Sequence, residues 1–304
     1  MLNEVLVSVV IPTHNRDENT LLRAVNSCIE QTLKPFEIVI VDDVCNKRVK
    51  EFVESIAFDN IKYIENKEQG ASASRNLGAQ LSEGNYVAFL DDDDIWLPEK
   101  LELQVNQVKS QNAKAVFSQM FVEYEDLGVK YTTKSKNVPN PLKQICTENY
   151  IGGTISSLIE KQLFLELGGF DRAFSAREEY DLWIRIISSG AKISVVERPL
   201  TVAYRSFVRD RVSSNISSYE NAIELLNKKH KQLALEVLDD KERKLRKSKQ
   251  YNFLAAQAIS INKGSVAAKY YFKSFTNSLS PKSMILSVLS LLSPKFLIML
   301  RSKM

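Results

Sequence analysis

Residues 86–100 read YVAFLDDDDIWLPEK. Tyr86 to Leu90 are apolar without a break, the mark of a strand buried on both faces. Asp91, Asp92, Asp93 and Asp94 follow at once, and Ile95, Trp96, Leu97 and Pro98 fix the exit. Adjacent carboxylates repel one another, and ionised groups are costly to remove from water. A short acidic turn escapes that cost by giving two carboxylates to a hard divalent cation, Mg²⁺ or Mn²⁺, whose other positions water and phosphate oxygens fill. The competing reading is a solvated acidic turn. The buried strand that aims the acids at one edge favours the functional reading.

The same pattern recurs upstream. VLVSVVIP (5–12), FEIVIVDD (36–43) and IKYIEN (61–66) are apolar, β-branched runs. Between them NTLLRAVNSCIEQT (19–32), KRVKEFVESIA (47–57) and GASASRNLGAQLSEG (70–84) have helical spacing. Asn19 is the expected cap of the first, and Gly70 and Gly84 bound the third. Strands alternating with helices predict right-handed βαβ units and a mostly parallel sheet, an α/β fold. Ligands of such sheets sit beyond the carboxyl ends of the strands. Thr13-His14-Asn15-Arg16, Asp42-Asp43 and the acid run all fall there. A long helix over 99–111, strands over 113–125, and two helices with flanking strands over 153–205 follow.

The chain has 304 residues, 44% hydrophobic and 26% charged, enough for a sizeable globular core. Cys28, Cys45 and Cys146 form no CxxC pair, which excludes a disulfide framework or zinc knuckle and fits a reducing cytoplasm. Two histidines, His14 and His230, exclude a His-rich metal site. The N-terminus lacks a basic n-region, so no signal peptide is expected. From Lys228 onward there are 16 Lys or Arg against 4 Asp or Glu; the rest of the 41 and 37 leaves 25 against 33. An acidic body with a basic, helical tail points to an anionic partner such as a membrane surface. No nucleic-acid motif supports that alternative. In the tail Ser283, Ser287, Ser290 and Ser293 recur at helical spacing, with Leu, Ile and Val opposite. That suits an interfacial helix, or equally a helix packed on the body or in a homodimer.

Gly70 opens a helix N-terminus, which offers N–H groups to an anion, and Arg75 in its first turns reaches a phosphate. In EEYDLWIRI (178–186), Glu178, Glu179 and Asp181 either serve the helix dipole or supply a general base. Trp183, Ile186 and Ile187 read as core. Cys45 reads as an inert thiol and His14 as a hydrogen-bonding side chain.

Taken in order, VSVVIPTHNR, Gln31-Thr32, EIVIVDD, GASASRNLGA, YVAFLDDDDIWLPEKLE, LGGFD (167–171) and EEYDLWIRI resemble the family 2 glycosyltransferases, over about residues 5–205. The resemblance implies a GT-A catalytic unit over 1–215, its nucleotide-sugar half about 1–100 and its acceptor half about 101–215, followed by the basic helical region 216–304. It implies an inverting transfer from a nucleoside-diphosphate sugar, a UDP-sugar above all, to a glycan or lipid-linked hydroxyl in bacterial cell-surface polysaccharide synthesis. Pro12, Thr13, His14 and Asn15 match the first nucleotide loop, which Arg16 continues. Asp43, with Asp42, matches the acid that reads the base. Gly70 and Arg75 lie near the phosphates. Asp91, Asp92 and Asp93 match the DxD motif, with Asp93 and Asp91 as metal ligands and Asp91 or Asp92 facing the ribose. Glu179 stands at the catalytic base, with Asp181 or Glu178 as substitutes. A cytoplasmic enzyme is expected, and the interfacial reading of the tail would place it peripherally on the cytoplasmic face of the membrane.

Three departures from the family pattern stand out. Val44-Cys45-Asn46 replaces the usual Gly-Ser, Glu179 replaces an Asp, and Phe207 and Arg209 occupy the neighbourhood of a loop histidine. Two rivals remain: a non-catalytic nucleotide-sugar-binding scaffold, and a haloacid-dehalogenase-type phosphatase, which also places Asp-x-Asp after a buried strand.

Overall fold

The computed structural model describes residues 4–207 and 215–301; Arg209 lies outside them. The β-branched runs become strands because their stiff side chains pack well on a pleated, buried surface. β1 (Val7–Thr13) and β2 (Glu37–Asp42) are buried at every residue. With β3 (Ile61–Glu65) and β4 (Tyr86–Phe89) they form a parallel block in the order β3-β2-β1-β4. The crossovers are α1 (Glu18–Ile29), α2 (Lys47–Glu54) and α3 (Ala71–Leu81). Leu21 and Val25 of α1 and Val49 and Val53 of α2 fill one core cluster, and Ala79 of α3 joins another. Gly78 lets α3 lie close on the sheet, since a Cβ there would run into Val10 and Val41.

Two expected helix ends move. Asp17, not Asn19, caps α1: its side chain accepts the Thr20 N–H at 3.0 Å. α3 stops at Leu81, before Gly84, because the Ser82 N–H closes on the Gly78 carbonyl at 3.0 Å and the chain then extends. Gly84 instead permits a close approach, since a Cβ would collide with Leu6 and Ser8.

After β4 come β5 (Ile95–Trp96), α4 (Lys100–Gln111), β6 (Ala115–Tyr124), β7 (Val129–Thr132), α5 (Pro141–Thr147), β8 (Leu158–Glu160), α6 (Lys161–Glu166), α7 (Glu178–Ser188) and β9 (Ile193–Arg205). The sheet continues as β4-β8-β6-β9-β5, with β7 on β6. β8 is antiparallel to both neighbours, while β6 and β9 run parallel. The α/β expectation holds, with a parallel N-terminal block and a mixed second half. Trp183 and Ile186 are fully buried, as read from their spacing.

The tail forms α8 (Ile216–Lys229), α9 (Lys231–Val237), α10 (Asp240–Ser260), α11 (Gly264–Ser278), α12 (Pro281–Leu292) and α13 (Pro294–Arg301). Leu254, Ala258, Tyr270 and Ile298 share a cluster with Tyr124 and Val129 of the sheet. Ala222 and Leu226 of α8 enter the core under α7. The Arg177 guanidinium lies 3.8 Å from the Phe253 ring centre, fastening α10 to the start of α7. No described helix is long and apolar enough to cross a membrane.

Candidate active site

Parallel pairing sets Thr13 at the end of β1 beside Asp42 at the end of β2. Successive strand residues point to opposite faces, so Asp42 and Asp43 part ways. Asp42 is fully buried and accepts from Val44 N–H at 2.9 Å, Asn46 N–H at 2.8 Å and Tyr63 O–H at 2.8 Å. Its carboxylate is consumed in shaping its own turn, where Cys45 is left-handed at φ 56, so it does not share the base-reading place expected of it beside Asp43. Asp43 instead meets His14 Nδ1 at 2.6 Å and the Gly70 N–H at 2.8 Å. His14, Asp43 and Gly70 therefore converge. The Gly70 amide, expected to face an anion, donates to Asp43. Gly70 has φ 112, a conformation that glycine adopts at little cost. Asn15, at φ 49, accepts from Asn46 at 3.3 Å and joins the first two loops; Pro12, paired with Val41, is buried in β1.

The acid run splits by direction. Asp92 is buried and accepts from Thr13 Oγ1 at 2.9 Å and Arg16 Nε at 3.0 Å. Burial raises its pKa, against the pull of Arg16 and Thr13. Asp94 is buried too: β9 brings the Tyr204 N–H to it at 2.9 Å. Arg205 stands 4.0 Å away, yet burial still pushes Asp94 up to about 8. Asp91 and Asp93 keep 35% and 36% of their side chains open to water. Arg16 reaches Asp93 at 3.3 Å, and Arg23 donates to the Asp93 carbonyl at 2.9 Å.

Across from the run, Arg177 caps α7 in a left-handed conformation at φ 61, strain of the kind that collects at functional sites. The next residue, Glu178, accepts from Arg75 Nη1 at 2.9 Å, while Arg75 Nη2 donates to Asp91 at 2.6 Å. Arg75, expected as a phosphate clamp, is buried with both Nη groups committed to acids. It is the bridge between the acid run and the helix start. Glu179 is half-buried, and its nearest hydrogen-bonding neighbour is Asn149 Nδ2 at 3.5 Å. Burial pushes its pKa up to about 7, with Glu178 adding and Arg177 opposing. Of the three candidate bases, Glu179 is the one without an ion-pair partner among the described residues.

Asp181 is turned elsewhere. Two positions along a helix is more than half a turn, and its fully buried carboxylate accepts from Arg185 at 2.8 Å, Lys229 at 2.9 Å and His230 at 2.8 Å. Burial alone would raise its pKa; His230, Arg185 and Lys229 override that and hold it at about 2. It is an anchor between α7 and the helical tail rather than a base, because its lone pairs are spent on cations. Asp181→Ala should destabilise the fold by about 3–5 kcal/mol, since Arg185 and Lys229 are left without their acid and His230 without its hydrogen-bond partner. Urea unfolding measures this, and a midpoint equal to the wild type would refute it.

Among the described residues no three or more His, Cys, Asp or Glu group to hold a metal. Asp91 and Asp93 are the pair left about one-third open to water. Mg²⁺ or Mn²⁺ characteristically takes one or two carboxylates and completes its shell with water and phosphate, so the residues present fit such an ion. Sequence reading missed Asn149, Arg23 and Arg205. Nothing local marks Asn149, which is 30 positions from Glu179.

Residues 8–166, more than half of the chain, match the sequence model of glycosyl transferase family 2. The chain belongs to this family. A glycosyltransferase of uncharacterised role from Haemophilus influenzae is 30% identical over 97% of this chain and 99% of its own. WfgD of Escherichia coli, a UDP-Glc:alpha-D-GlcNAc-diphosphoundecaprenol beta-1,3-glucosyltransferase, is 26% identical over 70% of this chain and 82% of its own. In fold, the family 2 chain is similar to S. aureus TarS (TM-score 0.60, 16% identity, 96% of this chain and 54% of that one). It is also similar to TarS 1–349 in complex with UDP-GlcNAc (TM-score 0.55, 16% identity, 92% and 89% covered). Family 2 membership sets aside the phosphatase alternative, and the fold agrees with GT-A.

Proposed function

We propose that this chain is an inverting transferase that moves a sugar from a UDP-sugar to a hydroxyl of a glycan or lipid-linked acceptor. Its setting is bacterial cell-surface polysaccharide synthesis at the cytoplasmic face of the membrane. The observation that carries this reading is the bridge Asp91–Arg75–Glu178, which fixes a partly open pair of acids opposite Glu179, a carboxylate with no ion-pair partner among the described residues. Support for donor and acceptor comes from WfgD, whose name gives UDP-Glc and a diphosphoundecaprenol-linked sugar.

In this mechanism the loops of His14, Asp43 and Gly70 hold the nucleoside. Asp93 and Asp91 hold the divalent cation, which supplies positive charge to offset the leaving diphosphate when bound. Arg75 orients Asp91 and Glu178 and so keeps the acid run and the start of α7 in register across the site. Glu179 accepts the proton of the acceptor hydroxyl. That oxygen forms its bond to the anomeric carbon as the bond to the diphosphate oxygen breaks on the opposite face. The electron pair departs with the nucleoside diphosphate, and the configuration inverts. Glu178 is the poorer base, because its carboxylate already carries Arg75.

Thermal shift with UDP tests the donor side. UDP with Mn²⁺ should raise the melting temperature, and chelator should abolish most of the rise; at a hundred times Kd the stabilisation is about 2.7 kcal/mol. Stabilisation by UDP that ignores the metal would sink the cation assignment. Absence of transfer from every UDP-sugar, with binding intact, would return the scaffold reading.

A further inference from the structure

We propose that the outward face of α12 and α13 docks on an anionic bilayer surface. The twelve residues of α12 are amphipathic, but the orientation is the reverse of a soluble helix. Ser283, Ser287 and Ser290 face inward and are buried. Ile285, Val288, Leu291 and Leu292 face outward, with Leu292 75% exposed. Phe296 and Met299 continue the surface on α13 at 49% and 45%.

The inward serines are held by partners. Ser287 Oγ donates to the Ala268 carbonyl at 2.8 Å, Ser290 Oγ to Leu286 at 2.6 Å, and Ser283 meets Ser274 at 3.3 Å. Their small size lets α12 sit close on α11, where a Cβ on Gly264 would strike the Ser290 carbonyl. Burial of apolar area alone would select the opposite face. An exposed apolar patch with a polar surround marks an interaction surface.

Charge selects the occupant. No Asp or Glu follows Glu242 in the chain. The exposed Lys263, Lys269, Lys282 and Lys295 therefore lie in a region without acids of its own. A symmetric dimer through this face would set the same lysines against each other. Anionic headgroups complement them. A helix of this length cannot span a bilayer but can lie in its interface, apolar face down.

The test is co-sedimentation of the full chain with phosphatidylcholine vesicles, with and without about one-third phosphatidylglycerol. The chain should pellet with the anionic vesicles and be released by salt. Ile285→Ser/Leu292→Ser, which alters only outward positions, should lower the partition coefficient at least about tenfold, with circular dichroism unchanged. Lys282→Gln/Lys295→Gln should weaken it at low salt while leaving the fold untouched. Three results would overturn the proposal. The wild type stays in the supernatant with anionic vesicles. The apolar variant pellets like the wild type. The chain elutes as a dimer that this variant converts to monomer, which gives the face to a second copy. No sugar donor is needed, so this result is independent of whether transfer is observed.

Discussion

Glu179→Gln should lower the rate of sugar transfer by about 10²–10⁴, the range expected for loss of a general base, and leave UDP binding within about twofold. The side chain keeps its size and loses its ability to take a proton. The wild-type pH profile carries the same assignment. Burial holds Glu179 at about 7, so it is an acid below that pH and a base above it. The logarithm of kcat/KM should rise with unit slope up to about pH 7 and then level off, and the Gln variant should lose this limb. Glu178→Gln is the comparison. It should retain more activity, because Glu178 is committed to Arg75 at 2.9 Å. If Glu178→Gln is dead and Glu179→Gln turns over, the base is Glu178.

Arg75→Met should cost about 3 kcal/mol of stability and abolish the thermal shift by UDP. The figure sits at the low end for a broken buried ion pair because Asp91 is about one-third open to water. Met keeps the unbranched apolar stem as far as the position of Nε and removes the guanidinium, so Asp91 and Glu178 are left as like charges with no shared cation. The two measurements separate the roles. A stable variant that no longer binds UDP makes Arg75 a ligand to the donor alone. An unstable variant whose UDP response survives makes it a brace alone. Both losses together are expected, because one guanidinium holds both halves of the site.

Much of this site was legible from strand ends. An apolar run followed by acids marks a carboxyl edge, and three such edges converge once the strands pair in parallel. What could not be read was which acid of each group faces the ligand. Asp42 and Asp43 differ by one position, and strand alternation turns one inward to Val44, Asn46 and Tyr63. Asp92 and Asp94 take their partners from Thr13, Arg16 and Tyr204, which are 76 to 110 positions away. Asp181 looked like a base until His230, 49 positions on, was placed against it.

The tail divides in the same way. Helical spacing alone determined that the serines of α12 share a face. Which face points inward was decided by the close approach of α11, which small hydroxyls allow and leucines do not. The sequence by itself determined periodicity, fold class and family, because these depend on local pattern and backbone geometry. Tertiary structure decided which carboxylates are spent on buried partners and which remain open, because desolvation and pairing depend on neighbours distant in the chain.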